Sequence, residues 1–222
     1  MIKYHPSEAL LESHAAGVLP ASMSIAVAAH CELCSCCAEK LAQYEEKAAD
    51  AAFNDDAFTE QQGAHEDIFS EMLVSIINGE SPPLTKVSAS PVSEIEVAGE
   101  RYNLPTSLRR YHHLGWSSIG SISRARLPLN EGDTRASLLH IGMNGSVPSH
   151  THKGMEVTLL LSGHFEDEHD KYVPGDFIIL DSTNHHTPQT YDGCLCYTVA
   201  DAPLHFTKGV SQLLNTVGHV IY

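Results

Sequence analysis

The 222-residue sequence lacks several features that define large classes of protein. It has no run of ~18 or more apolar residues, so we expect no membrane span. The N-terminal stretch has His and Glu where a secretory signal needs apolar residues, and we therefore expect a cytoplasmic protein. Basic residues are also scarce: 13 Lys and Arg stand against 28 Asp and Glu, a net charge of −15. This balance is the opposite of what direct binding to nucleic acid requires.

The negative charge is concentrated in the N-terminal part. Residues 1–80 contain 14 acidic and three basic side chains, a net charge of −11, whereas residues 81–222 contain 14 and ten, a net charge of −4. Such an acidic part is either an ordinary solvated surface or a docking face for a basic partner.

The first 78 residues have the composition of a helical domain. Ser7 is a plausible N-cap for a helix over residues 8–16, and Gly17 follows its end. No Gly or Pro interrupts residues 22–50, which predicts a long second helix. A further amphipathic helix is predicted over about residues 60–78, and its apolar stripe packs either on its own domain or on a partner.

The rest of the chain has a different texture. Residues 79–93 are rich in Pro and Ser and have the composition of a linker. Residues 94–222 contain short strands separated by turn residues, which is typical of a β-sandwich or barrel. Four of the predicted strands are Ala136–Met143, Glu156–Leu161, Asp176–Leu180 and Cys194–Val199.

A cluster of His and Cys in the helical part predicts a metal site. His30, Cys34 and Cys37 are spaced i, i+4 and i+7, so on one continuous helix they would share a face over two turns. Imidazole and thiolate are preferred ligands of tetrahedral zinc, which needs four. His5 is the natural fourth ligand because a helical hairpin would return the start of the chain toward residue 30. Cys31 and Cys36 fit this face less well and are alternative ligands or exposed thiols.

A second motif in the β half predicts another metal site. It has the spacing Gly145-x₄-His150-x-His152-x₃-Glu156-x₆-Gly163, followed by Pro174-Gly175-x₁₀-His186. His150, His152 and Glu156 would face one side of a continuous strand, into the lumen of a barrel. With His186 they offer three imidazoles and a carboxylate to a divalent metal, and zinc, iron, manganese and nickel all fit. His185 is the alternative to His186.

Three further features of the β half have simpler interpretations. Cys194 and Cys196 would face one side of a strand, either as small core residues or as an oxidant-sensitive pair beside the metal. The acidic run at residues 166–168 is predicted to be a solvated turn. Isolated histidines such as His140 are expected on the surface or in the core.

The motif of the β half is similar to the signature of the cupin superfamily, although four residues instead of five separate its first Gly and His. The N-terminal segment, with His5-Pro6, Gly17, Pro20 and then His30-x₃-Cys34-x₂-Cys37, looks like a zinc-binding anti-sigma domain. In this order, the two halves resemble the ChrR-type anti-sigma factors along nearly the whole chain. The resemblance implies two domains, a small zinc-binding helical one followed by a cupin β-barrel, with no catalytic residues.

The same resemblance implies a function and a partner. The helical domain would sequester an extracytoplasmic-function sigma factor of the sigma-E type, and the cupin would be needed for its release under singlet oxygen and related oxidants. By resemblance, His5, His30, Cys34 and Cys37 hold one zinc, and His150, His152, Glu156 and His186 hold another. The alternative hypothesis is a metal-dependent cupin enzyme, a dioxygenase or isomerase, with a helical regulatory domain.

Overall fold

A computed structural model describes residues 1–54, 66–79 and 93–206 of the chain. Predictions that fall on residues 55–65, 80–92 and 207–222 therefore lie outside the described residues. They include the start of the last predicted helix and nearly all of the predicted linker.

Three helices occupy the first 54 residues: α1 (Glu8–Ala15), α2 (Ala21–Leu33) and α3 (Ser35–Phe53). The first helix begins as predicted, because the Ser7 hydroxyl accepts a hydrogen bond from the Leu10 amide at 3.3 Å. It also ends as predicted, with Gly17 at a φ of 69° that an L side chain rarely adopts.

The prediction of one uninterrupted helix over residues 22–50 is wrong at Cys34. This residue is extended, with φ −124° and ψ 101°, and it separates α2 from α3. The break leaves local hydrogen bonding intact, because the Cys34 amide donates to His30 at 2.9 Å and its carbonyl accepts from Ala38 at 3.0 Å. The chain can therefore change direction here without a Gly or Pro.

The next described helix is α4 (Glu66–Asn78), which carries an apolar stripe. Six of its large apolar side chains are between 52% and 70% exposed: Phe69, Met72, Leu73, Val74, Ile76 and Ile77. Of the two interpretations of the predicted stripe, the exposed one agrees with the structure. None of the described helices is long and apolar enough to cross a membrane.

The β half contains one short helix and 13 strands among the described residues. They are β1 (Glu94–Val97), β2 (Glu100–Asn103), α5 (Thr106–Arg109), β3 (Ser117–Ile119), β4 (Ile122–Arg126), β5 (Arg135–Ile141), β6 (His150–His152), β7 (Glu156–Gly163), β8 (Phe165–Glu166), β9 (Lys171–Tyr172), β10 (Phe177–Leu180), β11 (His185–His186), β12 (Cys194–Ala200) and β13 (Leu204–Phe206). The four strands predicted from the sequence correspond to β5, β7, β10 and β12.

The strands form two main antiparallel sheets. One has six strands in the order β10-β7-β12-β5-β4-β3, and the other has three in the order β11-β6-β13. Residues from both sheets line one cavity, with Leu139 from β5, Ile178 from β10, His150 from β6 and His186 from β11 around it. The predicted fold class, helices followed by a cupin-type antiparallel β half, is confirmed.

Helices α1 to α3 share one apolar core with the β half. Buried residues of α1 and α2, among them Leu11 and Val27, belong to the same cluster as Leu108 and Tyr197 of the β half. The interface also has polar contacts: the Tyr197 hydroxyl donates to the Ser22 carbonyl at 3.0 Å, and the Ser22 amide donates to Glu131 at 3.0 Å. This packing positions the N-terminal His-Cys cluster against the sheet.

Candidate metal centres

The first candidate centre brings together the four residues proposed from the sequence. One nitrogen or sulfur atom each of His5, His30, Cys34 and Cys37 lies within 4.8 Å of all the others. Nδ1 of His5 lies 3.5 Å from Sγ of Cys34 and 3.4 Å from Sγ of Cys37. Bond lengths of ~2.3 Å to sulfur and ~2.05 Å to nitrogen give a tetrahedral S···N edge of about 3.5 Å. The group therefore has dimensions compatible with a tetrahedral metal ion.

The break at Cys34 is what builds this group. His30 lies in the last turn of α2, Cys34 is the junction residue and Cys37 lies in the first turn of α3. The prediction that all three lie on one face of a continuous helix is wrong, because the extended Cys34 separates α2 from α3. His5 comes from the segment before α1, as the hairpin argument predicted.

The protonation behaviour of the first centre suits a cation. Burial lowers the pKa of His30 to about 4, so its ring is neutral at neutral pH, which is the ligating form. Among the described residues, Nε2 of this buried ring has no hydrogen-bond partner. Burial and the neighbouring Cys34 raise the pKa of Cys37 to about 12. A divalent cation would reverse this, because coordination stabilises the thiolate.

The other two cysteines of the cluster lie outside the group. Cys36 is exposed, and Cys31 is half-buried. Burial raises the pKa of Cys31 to about 11. At neutral pH it is therefore a protonated thiol, which is less reactive than a thiolate. The placement agrees with the weaker fit of these two residues in the sequence.

The second candidate centre is a triad of buried histidines in the β half. Nε2 of His186 lies 2.9 Å from Nε2 of His150 and 3.2 Å from Nε2 of His152. Metal–nitrogen bonds of ~2.05 Å give N···N separations of about 2.9 Å in octahedral and 3.3 Å in tetrahedral geometry. The three ring nitrogens therefore converge as ligands of one ion would. His185, the alternative, is exposed.

Each ring of the triad has a partner for its other nitrogen. Nδ1 of His150 lies 2.9 Å from the Pro148 carbonyl, and Nδ1 of His186 lies 3.1 Å from Oδ2 of Asp167. Nδ1 of His152 lies 2.9 Å from Oε2 of Glu156, a charge contact without hydrogen-bond geometry. The two hydrogen bonds fix the ring orientation and the tautomer of His150 and His186, so that Nε2 presents its lone pair. Glu156 thus contacts the outer ring nitrogen of His152, and its role as a fourth ligand stays a prediction.

The charges around the triad are those of a cation site. Burial lowers the pKa of His150 to about 4, so this ring is neutral at neutral pH. Burial alone would raise the pKa of Glu156, but the adjoining His152 and the two other rings outweigh it and hold the pKa at about 2. A neutral His150 ring beside an ionised carboxylate favours a positive ion.

A cavity of about 50 Å³ lies beside the triad. Its wall is mostly apolar and includes Phe165, Ile178 and the thiol of Cys196. Cys194 and Cys196 are both buried and form no disulfide. A hydrogen bond with Cys194, together with burial, raises the pKa of Cys196 well above its ordinary value. Cys196 is therefore in the thiol form at neutral pH.

Sequence reasoning missed Asp167. The acidic run around it was predicted to be a solvated turn, but the Asp167 side chain is 2% exposed and lies against His186. Its position follows from the β8–β9 hairpin, which the sequence does not pair with residue 186. The sequence signal that could have indicated it is the position of a carboxylate, Asp167, four residues after Gly163 at the end of β7.

Comparison with known proteins gives three findings. Residues 107–203 match the family described as the ChrR cupin-like domain. The chain is 29% identical over 216 residues to the anti-sigma-E factor ChrR of Cereibacter sphaeroides, covering 96% of this chain and 97% of that protein. It also resembles a crystal structure of Rhodobacter sphaeroides SigE in complex with the anti-sigma ChrR, with 26% identity and a TM-score of 0.64 over 90% of this chain and 100% of that chain.

These findings cover both halves of the chain. The family match lies in the β half and contains the histidine triad, whereas the match to the curated relative extends over nearly all of the helical half as well. The resemblance of this chain to the ChrR-type anti-sigma factors is confirmed, and residues 107–203 match the ChrR cupin-like domain.

Proposed function

We propose that this protein is a cytoplasmic anti-sigma factor that sequesters an extracytoplasmic-function sigma factor of the sigma-E type and performs no turnover. The resemblance to an anti-sigma-E factor along 96% of the chain supports this function. So does the likeness to a ChrR chain in complex with SigE. The acidic helical half agrees with a basic partner, because complementary charge guides association.

The observation that carries the proposal is the uncovered apolar stripe of α4. Phe69, Met72, Leu73 and Ile76 follow the i, i+3, i+4, i+7 spacing of one helical face, and all are more than half exposed. Contiguous exposed apolar surface of this kind marks a protein interaction site, and an amphipathic helix in a groove is a common form. The stripe is the contact we assign to the sigma factor.

The two candidate centres complete the proposal. The first, with His5, His30, Cys34 and Cys37, would hold zinc and tie the start of the chain to the α2–α3 junction. The second, with His150, His152 and His186, would hold zinc or another divalent metal. Glu156 completes it as a ligand or as the partner of His152. The proposed division of the chain is a helical domain at residues 1–78, a linker at 79–93 and a cupin domain at 94–222.

The proposed signal is oxidative stress of the singlet-oxygen type, sensed through the cupin domain. Cys196 lies near His150 and His186, so its thiol would be an oxidisable group beside a metal bound there. The enzyme hypothesis is less well supported, because the cavity of about 50 Å³ is far smaller than the ~300–1,000 Å³ of ordinary ligand pockets.

A co-expression pull-down tests the proposal. The full chain and the sigma-E-type factor of the same genome are expressed together, and the captured sigma factor is quantified. Leu73→Glu with Ile76→Glu places two charges in the apolar stripe and is expected to abolish capture. Ile119→Glu is the matched control, because this residue on β3 is 67% exposed and lies outside the stripe. Failure of the unchanged protein to capture the sigma factor would contradict the proposal.

The same complex tests the signal. Photosensitised singlet oxygen should release the sigma factor from the unchanged protein, and a variant with His150→Ala and His186→Ala should retain it. Equal release of the sigma factor from both proteins would mean that the histidine triad of the cupin domain does not sense singlet oxygen.

A further inference from the structure

The turn between β9 and β10 lies against the first candidate centre. This turn, residues 173–176, belongs to the β half, yet the carbonyl of Gly175 lies 2.7 Å from Nδ1 of His30. A carbonyl oxygen only accepts, so Nδ1 carries the proton and donates it. Nε2 of the same ring is then the lone-pair nitrogen directed at the His-Cys group. The turn therefore selects the ligating tautomer of His30.

The same turn also holds the segment that leads into His5. The buried carboxylate of Asp176 accepts from the amides of Lys3 at 2.7 Å and Tyr4 at 3.1 Å through Oδ1, and from Val173 at 2.8 Å through Oδ2. The amide of Phe177 donates to the Tyr4 carbonyl at 2.9 Å. Residues 3 and 4 are thus fixed in place by backbone hydrogen bonds, and His5 follows directly.

Packing reinforces these bonds. Gly175 has a φ of 97°, and a Cβ there would overlap the side chain of Ile2. The close approach of Ile2 to this glycine covers the turn and presses the N-terminal segment onto the β half. Two of the four residues of the group, His5 and His30, are therefore oriented by the β half, while Cys34 and Cys37 are oriented by the α2–α3 junction.

We infer that the β9–β10 turn is the outer shell of the N-terminal metal site, with Gly175 and Asp176 as its positioning residues. The inference rests on the proposed metal site at His5, His30, Cys34 and Cys37. Loss of such outer partners typically weakens metal binding ~10–100-fold, because the ligands must then be ordered at the moment of binding. The affinity of the N-terminal site for its metal is accordingly a property of the whole protein, set in part by the β half.

Cobalt(II) binding to the full chain tests this inference. Thiolate-to-cobalt charge-transfer absorption reports on the centre with Cys34 and Cys37, and the Cys34→Ser, Cys37→Ser variant provides the blank. Zinc is then titrated against the cobalt form in the presence of a competing chelator. Asp176→Asn is expected to weaken zinc at this centre by about 10- to 100-fold and to change the ligand-field bands of cobalt. Metal bound at the histidine triad should not change.

Asp181→Asn is the matched control. Its carboxylate accepts from the Thr183 amide at 2.9 Å within a neighbouring turn of the β half, so it tests the general effect of such a change. The control should bind zinc as the unchanged protein does.

The outcomes separate the inference from the site on which it rests. If the unchanged protein shows no thiolate absorption beyond the blank, the proposed metal site fails. If the absorption is present and Asp176→Asn binds zinc as tightly as the unchanged protein, the inference is overturned. Should Asp176→Asn not fold by circular dichroism, Ile2→Ala replaces it. That variant loosens the same segment without altering the β half, and it should show a smaller loss of affinity; unchanged affinity overturns the inference.

Discussion

Individual histidines in this protein act through both ring nitrogens. In the triad, one nitrogen of each ring points to the centre, and the other nitrogen is held by a carbonyl in His150 and by a carboxylate in His186. His30 repeats the arrangement with Gly175. A neutral imidazole with one nitrogen fixed as donor offers the other as a ligand, so the outer partners decide whether the centre is preorganised.

Asp167→Asn is expected to weaken metal binding at the triad by about 10- to 100-fold, because His186 loses its charged partner. Isothermal titration of the metal-free protein with zinc measures the change. Glu166→Gln is the neighbouring control, since Glu166 pairs with Lys171 at the surface at 2.7 Å. Unaltered affinity in the Asp167 variant would show that the contact does not position the ring.

His140 predicts a pH dependence of stability. It is buried, neither ring nitrogen has a hydrogen-bond partner among the described residues, and Oε2 of Glu100 lies 4.0 Å from Nε2. Burial lowers its pKa despite this carboxylate. As the pH decreases below ~6.5, the unfolded chain therefore takes up the proton before the folded protein does. The free energy of unfolding decreases as the pH decreases.

The variant His140→Leu should remove part of this acid sensitivity. Melting temperatures of the metal-free protein at about pH 7 and about pH 5 give the comparison. His113→Leu, which changes an exposed histidine, is the control. An equal drop in melting temperature for the His140 variant and the unchanged protein would rule out the assignment.

At the scale of elements, the predictable features are those with local signals. Ser7 and Gly17 delimit α1, and short apolar runs bounded by turn residues delimit β7 and β12. Such signals lie in neighbouring residues of the sequence. The break at Cys34 has no such signal. Cysteine does not break helices, and only the contacts of the whole fold select the extended conformation there.

The N-terminus of α2 shows the same limit. Its N-cap residue is Pro20, which offers no side-chain acceptor. A carboxylate from the β half, Glu131, accepts from the Ser22 amide instead. The sequence could not pair residue 22 with residue 131, because the contact forms only when the two halves pack together.

Glu131→Ala should therefore destabilise the protein by about 1 kcal/mol, as loss of a helix cap and of a favourable charge at a helix N-terminus does. Urea denaturation followed by circular dichroism measures the free energy of unfolding. Glu94→Ala, at an exposed position on β1, should change it little. A Glu131 variant as stable as the Glu94 control would mean that water caps α2 equally well.

At the scale of the whole molecule, the two halves are one packing unit. Apolar residues of α1 and α2 lie in one cluster with residues of β12 and α5, and Tyr197 joins the sheet to Ser22. The sequence predicted the order of the halves, and it proposed the histidines and cysteines that the structure brings together in the two candidate centres. It did not predict the contact between the halves, because side chains 175 positions apart have no local signal that pairs them.

We therefore expect a single unfolding transition for the described helices α1–α3 and the β half. Helix loss is followed by circular dichroism at far-ultraviolet wavelengths. Unfolding of the β half is followed by the fluorescence of Trp116, the sole tryptophan of the sequence, which packs against the shared core. Coincident midpoints in urea support one cooperative unit. A helical transition clearly separated from the tryptophan transition would refute it.

The shared core constrains how such a protein can change over generations. Two domains connected only by a tether could be exchanged freely between relatives, whereas here Leu11 and Val27 must fit the shape presented by Leu108 and Tyr197. A chimera of this helical half with the β half of a distant relative would thus need compensating substitutions where the two halves pack together. The helical half and the β half are expected to have diverged together, as matched parts.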